Sequence, residues 1–254
     1  MKYSSNGLKS KLAFLATSFA LVCAVDMLPT APAHAGEFYT GYPVIVFGNP
    51  GDFPIVGDWD GDGKTEIGVY RPSTRTFFLR ASRPEFSQAI VLGNSGDIPI
   101  TGDWDGDGKT EIGVYRPSTR TFFLRASRPE FSQVIDLGNS GDIPITGDWD
   151  GDGRTEIGVY RRSTRTFFLR ASRPEFSQAI VLGNSGDIPI TGDWDGDGRT
   201  EIGVLRPSTS TYFLRASRPE FSQAFVLGKA GDIPITGDWN GDGRTEVGVY
   251  RFPR

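Results

Sequence analysis

Residues 51–95 read GDFPIVGDWDGDGKTEIGVYRPSTRTFFLRASRPEFSQAIVLGNS, and this unit recurs every 45 residues along the chain. Full copies occupy residues 96–140, 141–185 and 186–230, and a partial copy occupies 231–254. Neighbouring full copies differ at four to seven of their 45 positions, which indicates recent duplication. Because so little has diverged, identity between copies does not show which positions matter for function.

Each full unit contains four short runs typical of β-strands. In the first unit these are Pro54–Trp59, Thr65–Arg71, Thr74–Ala81 and Ser87–Leu92. Turns rich in Gly, Pro, Asp and Asn separate them. Since no stretch of the repeats has apolar residues at helical spacing for more than one turn, we expect essentially no helix there.

Four strands in a unit of this length are typical of one β-propeller blade. The sequence therefore predicts an all-β fold, a β-propeller of about five four-stranded blades. The alternative is a β-solenoid, whose units are usually shorter and have fewer strands. Each unit also has one tryptophan, which we expect to pack between blades; the alternative is an exposed surface that stacks on sugars. The tryptophans are Trp59, Trp104, Trp149, Trp194 and Trp239.

The two ends of the chain look like two halves of one blade. Residues 231–254 are long enough for only the first two strands of a fifth unit. Residues 42–48, YPVIVFG, match the fourth-strand sequence SQAIVLG, and EFYT at 37–40 is short and aromatic like the third strand. We therefore predict that residues 36–50 complete the last blade, with 37–48 as its outer strands and 235–251 as its inner ones, which leaves no open edge.

The first 35 residues have the features of a secretory signal peptide. Three lysines precede an apolar stretch at residues 12–25, and Ala33-His34-Ala35 provides small residues at the positions that signal peptidase tests. The apolar stretch is shorter than the roughly 20 residues of a transmembrane helix. We expect cleavage after residue 35, a repeat domain over 36–254 without a transmembrane segment, and a secreted, periplasmic or cell-surface location. An uncleaved anchor or a buried helix is the alternative.

The composition argues against several function classes. The chain has 27 Lys and Arg against 31 Asp and Glu, a net charge of −4, which disfavours a nucleic-acid-binding protein. Its one cysteine, Cys23, and its one histidine, His34, both lie in the predicted signal peptide. After cleavage no disulfide, cysteine nucleophile, Ser-His-Asp triad or histidine-based zinc site could form. Paired-carboxylate chemistry stays open because acidic residues are plentiful.

An acidic loop follows the first predicted strand of every unit. In the first unit Asp58, Asp60, Asp62 and Glu66 stand at loop positions 1, 3, 5 and 9, and Gly63 at position 6 permits a sharp turn. Calcium takes about six to eight hard oxygen ligands, and alternate residues of a tight loop can direct several carboxylates to one ion. Without a cation these carboxylates would repel one another. The alternative is a solvated Asp-Gly turn that holds no ion.

The calcium prediction extends to every unit. The corresponding residues are Asp103, Asp105, Asp107 and Glu111; Asp148, Asp150, Asp152 and Glu156; Asp193, Asp195, Asp197 and Glu201; and Asp238, Asn240, Asp242 and Glu246. Asn240 keeps an oxygen but loses a charge, so we expect the fifth site to be weaker.

The stretch GDWDGDGKTEIGVYRP, residues 57–72, resembles the FG-GAP and VCBS-type repeats of bacterial surface proteins and integrin α-chains. The resemblance covers residues 42–251 and implies a β-propeller with calcium in the loop between the first and second strands of each blade. Two features depart from the family: the ninth loop position is Glu rather than the commoner Asp, and this chain has fewer units than an integrin propeller has blades. The family includes adhesion modules, lectin-like modules and domains attached to enzymes, so it implies little about activity.

Four arginines recur in each full unit, with one exception. In the first unit they are Arg71, Arg75, Arg80 and Arg83, and Ser210 replaces Arg75 in the fourth. Such a set could hold an anionic polysaccharide or a carboxylate. The alternative is that they cover strand edges and pair with acids of their own unit, such as Glu85.

The sequence is compatible with three functions. The first is a secreted, calcium-stabilised propeller that binds, adheres or scaffolds without catalysis, with a glycan or a surface protein as partner. The second is a lectin that uses Trp or Tyr faces at repeated sites, since several weak sites give avidity on a glycan surface. The third and least favoured is a carboxylate-based glycan hydrolase, because near-identical units give similar sites rather than one asymmetric constellation.

Overall fold

A computed structural model describes residues 36–40 and 44–252, so the predicted signal peptide lies outside the described residues. The strands of this part are β1 (Gly36–Tyr39), β2 (Ile45–Phe47), β3 (Phe53–Gly57), β4 (Glu66–Arg71), β5 (Thr76–Arg80), β6 (Gln88–Val91), β7 (Ile98–Gly102), β8 (Glu111–Arg116), β9 (Thr121–Arg125), β10 (Gln133–Asp136), β11 (Ile143–Gly147), β12 (Glu156–Arg161), β13 (Thr166–Arg170), β14 (Gln178–Val181), β15 (Ile188–Gly192), β16 (Glu201–Arg206), β17 (Thr211–Arg215), β18 (Gln223–Val226), β19 (Ile233–Gly237) and β20 (Glu246–Arg251).

These strands form five antiparallel four-stranded sheets, the blades of a β-propeller. Blades one to four are β3–β6, β7–β10, β11–β14 and β15–β18, each a continuous piece of chain. Among the described residues the helical segments are single 3₁₀ turns between the third and fourth strands of these four blades, as at Pro84–Phe86. The predicted fold class and the near-absence of helix are confirmed.

The strands of blade one are mostly shorter than the predicted runs. The first ends at Gly57 rather than Trp59, because Asp58 already folds back to bind backbone amides of the acidic loop. The third begins at Thr76 rather than Thr74, because Arg75 has a positive φ of 58° and belongs to the turn. Left-handed backbone is compatible with a turn and not with a strand.

Blade five joins the two ends of the described chain. Its strand order is β19-β20-β1-β2, so the C-terminal half supplies the inner strands and the N-terminal half the outer ones. In the register of β1 and β20, Phe38 lies opposite Tyr250 and Glu37 opposite Arg251. The prediction that the termini share one blade is confirmed.

Each blade is fastened to the next by a reciprocal pair of hydrogen bonds. The Asp58 N–H donates to Thr110 Oγ1 at 2.9 Å, and the Thr110 N–H donates to the Asp58 carbonyl at 2.7 Å. A Cβ at Gly57 would lie 2.5 Å from Thr110 Cγ2, so only glycine allows this approach. The same pair joins Asp238 of blade five to Thr65 of blade one, which closes the ring.

The apolar core lies between neighbouring blades. Trp59 packs with Tyr70 and Leu79 of its own blade and with Ile112 and Val114 of the next. The same arrangement recurs in blades two and three. The tryptophans therefore pack between blades, as predicted, and a blade cannot bury its apolar face alone.

Threonine hydroxyls link the innermost strands around the ring. Thr101 Oγ1 donates to the Val56 carbonyl at 3.0 Å, and the same bond joins blades two to three, three to four and four to five. Blade one carries Val56 at this position, so it has no hydroxyl to donate to blade five.

Candidate metal loops

Each blade gathers its acidic loop into one cluster of oxygens. In blades one to four, all four predicted ligands contribute a carboxylate oxygen, and these oxygens lie within 4.8 Å of one another. In blade five, Asp238, Asp242 and Glu246 form the cluster. The structure therefore brings the predicted residues together at the first-to-second strand connection of all five blades, and each cluster could hold a metal ion.

The first aspartate of the loop shapes its backbone. Asp58 Oδ1 accepts hydrogen bonds from the N–H groups of Gly61 (2.7 Å) and Asp62 (3.1 Å), and Oδ2 accepts one from Gly63 (2.8 Å). A carboxylate offers about four lone-pair sites, so Asp58 keeps room for a further partner. Gly61 and Gly63 have φ of 77° and 86°, the left-handed turns that glycine makes at no steric cost.

The ninth-position glutamate ties the loop to the end of the third strand. Glu66 Oε2 accepts a hydrogen bond from the Trp59 N–H at 2.8 Å, and Oε1 accepts one from the Ser82 N–H at 2.9 Å. The longer glutamate reaches both groups from the start of β4. This use of the ninth position explains how the chain accommodates Glu where the resembling repeats more commonly have Asp.

Ser82 was missed by sequence reasoning, and Arg83 was noted there but not connected to the acidic loop. Ser82 Oγ lies 2.8 Å from Asp60 Oδ2 and 3.0 Å from Asp62 Oδ2. A hydroxyl carries one proton, so only one of these two contacts can be a hydrogen bond at a time. The repeated Ser-Arg-Pro sequence was the available signal, but it lies about 20 residues from the loop and nothing local connects the two.

Arg83 pairs with Asp60, which confirms the interpretation that these arginines pair with acids of their own unit, although the acid is Asp60 rather than Glu85. Arg83 Nη2 lies 2.9 Å from Asp60 Oδ1 and also donates to the Asp60 carbonyl, while the Arg83 N–H donates to Oδ2. The Asp60 side chain is fully buried. The hydrogen bonds from Arg83 hold the pKa of Asp60 well below its usual range.

Other loop carboxylates are half-buried and accept hydrogen bonds from backbone N–H groups, but they have no arginine partner. Burial raises the pKa of Asp103 and Asp148, and it raises the pKa of Glu156 to about 7. Each of blades one to four thus has four carboxylates in contact range of one another and one arginine paired with one of them. The clusters carry excess negative charge at neutral pH.

In blade five, an amide group lies between the carboxylates of the acidic loop. Asn240 Nδ2 donates to Glu246 Oε1 at 2.5 Å and to Asp242 Oδ2 at 3.2 Å. A neutral N–H₂ group therefore bridges the carboxylates that, in the other blades, approach one another around an aspartate. The expectation that calcium binds more weakly at the fifth site stays a prediction, and Asn240 gives that loop one negative charge fewer than the others.

The residues fit a hard divalent cation. The donors are all oxygens, they come from alternate positions of one tight loop, and their charge exceeds that of the paired arginine. Carboxylate oxygens suit hard cations such as calcium, magnesium and manganese. When bound, such an ion would offset most of the negative charge that Arg83 leaves uncompensated on Asp58, Asp60, Asp62 and Glu66, and it would cross-link the loop.

Among the described residues, four tryptophan rings and five tyrosine rings are buried and unavailable for stacking on a sugar. Trp59, Trp104, Trp149 and Trp194 are at most 4% exposed, and Tyr70, Tyr115, Tyr160, Tyr212 and Tyr250 at most 1%. Only Trp239 is half-buried among the tryptophans. The form of the lectin hypothesis that uses Trp or Tyr faces is therefore wrong for these residues, because their faces pack against neighbouring strands.

Comparison with known proteins gives a likeness of fold only. No protein-family model matches the chain, and no curated protein matches it. An Agrocybe aegerita lectin, solved for its recognition of non-reducing terminal N-acetylglucosamine, is similar at a TM-score of 0.43 and 12% identity, over 87% of this chain and 72% of the lectin. A structure of BBS1N in complex with ARL6DN is similar at a TM-score of 0.36 and 11% identity, over 70% of this chain and 57% of that one.

Within residues 36–40 and 44–252, no helix has the length and apolar character needed to span a bilayer.

Proposed function

We propose that this protein is a secreted β-propeller of the FG-GAP and VCBS type, whose loops bind calcium and which acts as a binding, adhesion or scaffolding module without catalysis. The observation that carries the proposal is the recurrence of one oxygen cluster at the same connection in all five blades. The signal-like residues 1–35 support secretion, and extracellular calcium is abundant enough to fill weak sites.

The loop contacts support a stabilising role for the ion. The cluster connects the first-to-second strand loop, through Ser82 and Arg83, to the connection that follows the third strand. An ion that neutralises the cluster would therefore strengthen contacts between two segments of one blade. Because the Asp58 backbone also bonds to Thr110, the same loop touches the next blade.

The absence of catalysis is proposed from the way the acids are used. Loop carboxylates accept hydrogen bonds from backbone amides, as Asp58 does from three N–H groups and Glu66 from two. Glycoside hydrolysis needs one acid and one base in different environments around a substrate. The loops instead repeat one environment around the ring.

Thermal unfolding in calcium, in magnesium and in excess EDTA tests the proposal. With a Kd of about 0.1 mM, about 1 mM calcium adds roughly 1.4 kcal/mol per site, or about 6 kcal/mol for the four intact loops. For a domain of this size that corresponds to a melting-temperature rise of about 10–20 °C. The same melt in calcium and in EDTA would contradict calcium stabilisation, and hydrolysis of a polysaccharide panel would contradict the non-catalytic role.

A further inference from the structure

Three equivalent cavities open between consecutive blades. They lie between blades one and two, two and three, and three and four, with volumes of about 180, 210 and 210 Å³. Each is large enough for about six or seven waters. All three have the same outline: a Gln and an Ile from the fourth strand of one blade, and a Thr-Glu-Ile and an Arg-Ala-Ser segment from the next.

Each cavity contains an arginine that the fold does not use. These residues are Arg125, Arg170 and Arg215, at the exposed ends of β9, β13 and β17. Nine ion pairs occur among the described residues, and they use the arginines equivalent to Arg71 and Arg83 instead. The four arginines of a unit therefore divide into two that hold the fold and two, equivalent to Arg75 and Arg80, that do not.

A second cation lies beside each cavity on an aromatic ring. The Arg154 guanidinium lies 4.9 Å from the Phe131 ring centroid, and both residues line the cavity between blades two and three. Arg199 over Phe176 and Lys109 over Phe86 repeat the contact at the other two interfaces. Stacking holds the cation in place without neutralising its charge.

The acid of the cavity is already occupied. Glu156 lines the cavity between blades two and three, but its oxygens accept hydrogen bonds from the Trp149 and Ser172 N–H groups at 2.9 and 3.0 Å. The exposed amide of Gln133 stands opposite on the fourth strand of the preceding blade and adds neutral donors and an acceptor. Glu156 also belongs to the acidic loop, where the proposed calcium ion would offset its charge, and the other charged groups that line this cavity, Arg154 and Arg170, are positive.

We propose, building on the role of a binding module, that these three cavities bind acidic sugar residues of an anionic polysaccharide. An arginine fork suits a planar or tetrahedral anion bidentately, and the adjacent glutamine suits sugar hydroxyls. Three cavities on one chain give avidity to a ligand whose acidic residue repeats. The Trp59 and Trp104 rings at these cavities are at most 4% exposed, so a sugar cannot stack on them, which favours charge as the means of recognition.

The two interfaces of blade five do not combine a cavity arginine with the facing glutamine. When EFYTG is aligned in sequence with TFFLR, and YPVIVFG with SQAIVLG, Gly41 stands in the place of Arg170 and Pro43 in the place of Gln88. At the interface with blade one, Arg80 approaches the Phe47 ring instead, at 6.0 Å. Three binding sites, rather than five, are expected per chain.

The test compares two triple variants of the whole protein in calcium-containing buffer. One is R125Q/R170Q/R215Q, which removes the cavity arginines. The matched control is R75Q/R120Q/R165Q, which removes three exposed arginines without ion pairs from the turns between the second and third strands of blades one to three. Both lower the net charge equally, so long-range attraction changes alike.

Binding is measured by calorimetry with short oligogalacturonides, sulfated dextran oligosaccharides and neutral dextran oligosaccharides. We expect the natural protein to bind at least one acidic ligand and not the neutral one, the cavity variant to bind at least about tenfold more weakly, and the control variant to bind within about twofold of the natural protein. The acidic ligand that binds identifies carboxylate or sulfate as the recognised group.

Two results would overturn the inference: no binding of either acidic ligand by the natural protein, or equal weakening by both variants. Calcium-dependent melting of the same samples keeps the two proposals separable. A calcium-dependent melt without acidic-sugar binding rejects this inference alone, whereas acidic-sugar binding with an unchanged melt rejects calcium stabilisation alone.

Discussion

Blades one to four and blade five have the same four-stranded sheet, but blade five leaves its buried indole N–H without a hydrogen-bond partner. In blade two, the Trp104 indole N–H donates to the Ile112 carbonyl at 3.2 Å, whereas the Trp239 indole N–H of blade five is buried without a partner. Blade five also replaces a loop aspartate by Asn240. The comparison shows that four strands suffice to close the ring, while the loop chemistry and the cavities need the third-to-fourth strand segment of a full unit.

Removal of the outer strands of blade five is expected to have the largest effect. Deleting residues 36–48 removes the buried Phe38 and Phe47 and leaves β20 as an open edge. Each lost aromatic side chain costs about 1.5–3 kcal/mol of burial, and an open edge favours association between chains. We expect unfolding or oligomerisation in thermal melts and size-exclusion chromatography, and a monomer with an unchanged melt would disprove the shared blade.

A circular permutant provides the matched control for that deletion. Joining Arg251 to Glu37 through the turn sequence of residues 72–75 makes blade five continuous, and new termini between Ser140 and Gly141 fall between blades two and three. Since the same strands pair in the same register, we expect a monomer with a melt comparable to that of the natural protein. A permutant that fails to fold would show that chain continuity, rather than strand pairing, sets the stability.

The two tryptophan environments predict unequal costs of truncation. Trp104→Phe removes a buried hydrogen bond and leaves a void, so we expect a loss of about 2–4 kcal/mol of unfolding free energy. Trp239→Phe removes an unpartnered N–H from a half-buried position, so we expect a loss of about 1 kcal/mol. Denaturant unfolding followed by circular dichroism measures both, and equal losses would mean that the two environments do not differ energetically.

The loop of blade five can be converted into one like the others. Asn240→Asp removes the amide bridge to Asp242 and Glu246, so in EDTA we expect a loss of about 1–2 kcal/mol. In calcium the new carboxylate should instead raise the number of tightly bound ions from four to five. Calorimetric titration counts the ions, and an unchanged count would contradict the role given to the amide.

The smallest effect is expected in the inner ring of threonines. Val56→Thr supplies the one hydroxyl missing from the ring and should add about 0.5 kcal/mol, reduced by the apolar contacts that Val56 makes with blade five. Thr146→Val breaks an existing bond and should cost about 1 kcal/mol. If Thr146→Val stabilised the protein, the threonine hydrogen bonds between the innermost strands would not contribute to its stability.

Much of the fold was predictable because the repeat is local and nearly exact. The period of 45 residues and the four strand-like runs per unit indicate blades before any contact is known. The shared blade was predictable too, since the N-terminal segment resembles the strands that the last unit lacks. The loop ligands could be identified because Asp58, Asp60, Asp62 and Glu66 lie within nine residues of one another.

The sequence by itself thus determined the blades, their number and the positions of the acidic clusters, because these depend on neighbours along the chain. Only the tertiary structure decided which charged side chains form ion pairs. It brought Arg83 to Asp60 across 23 residues, bonded Thr110 to Asp58 across 52, and left Arg170 free at a cavity shared with the preceding blade. These contacts join separate strands and separate blades, so their partners are fixed by the curvature of the ring, which no short stretch of sequence encodes.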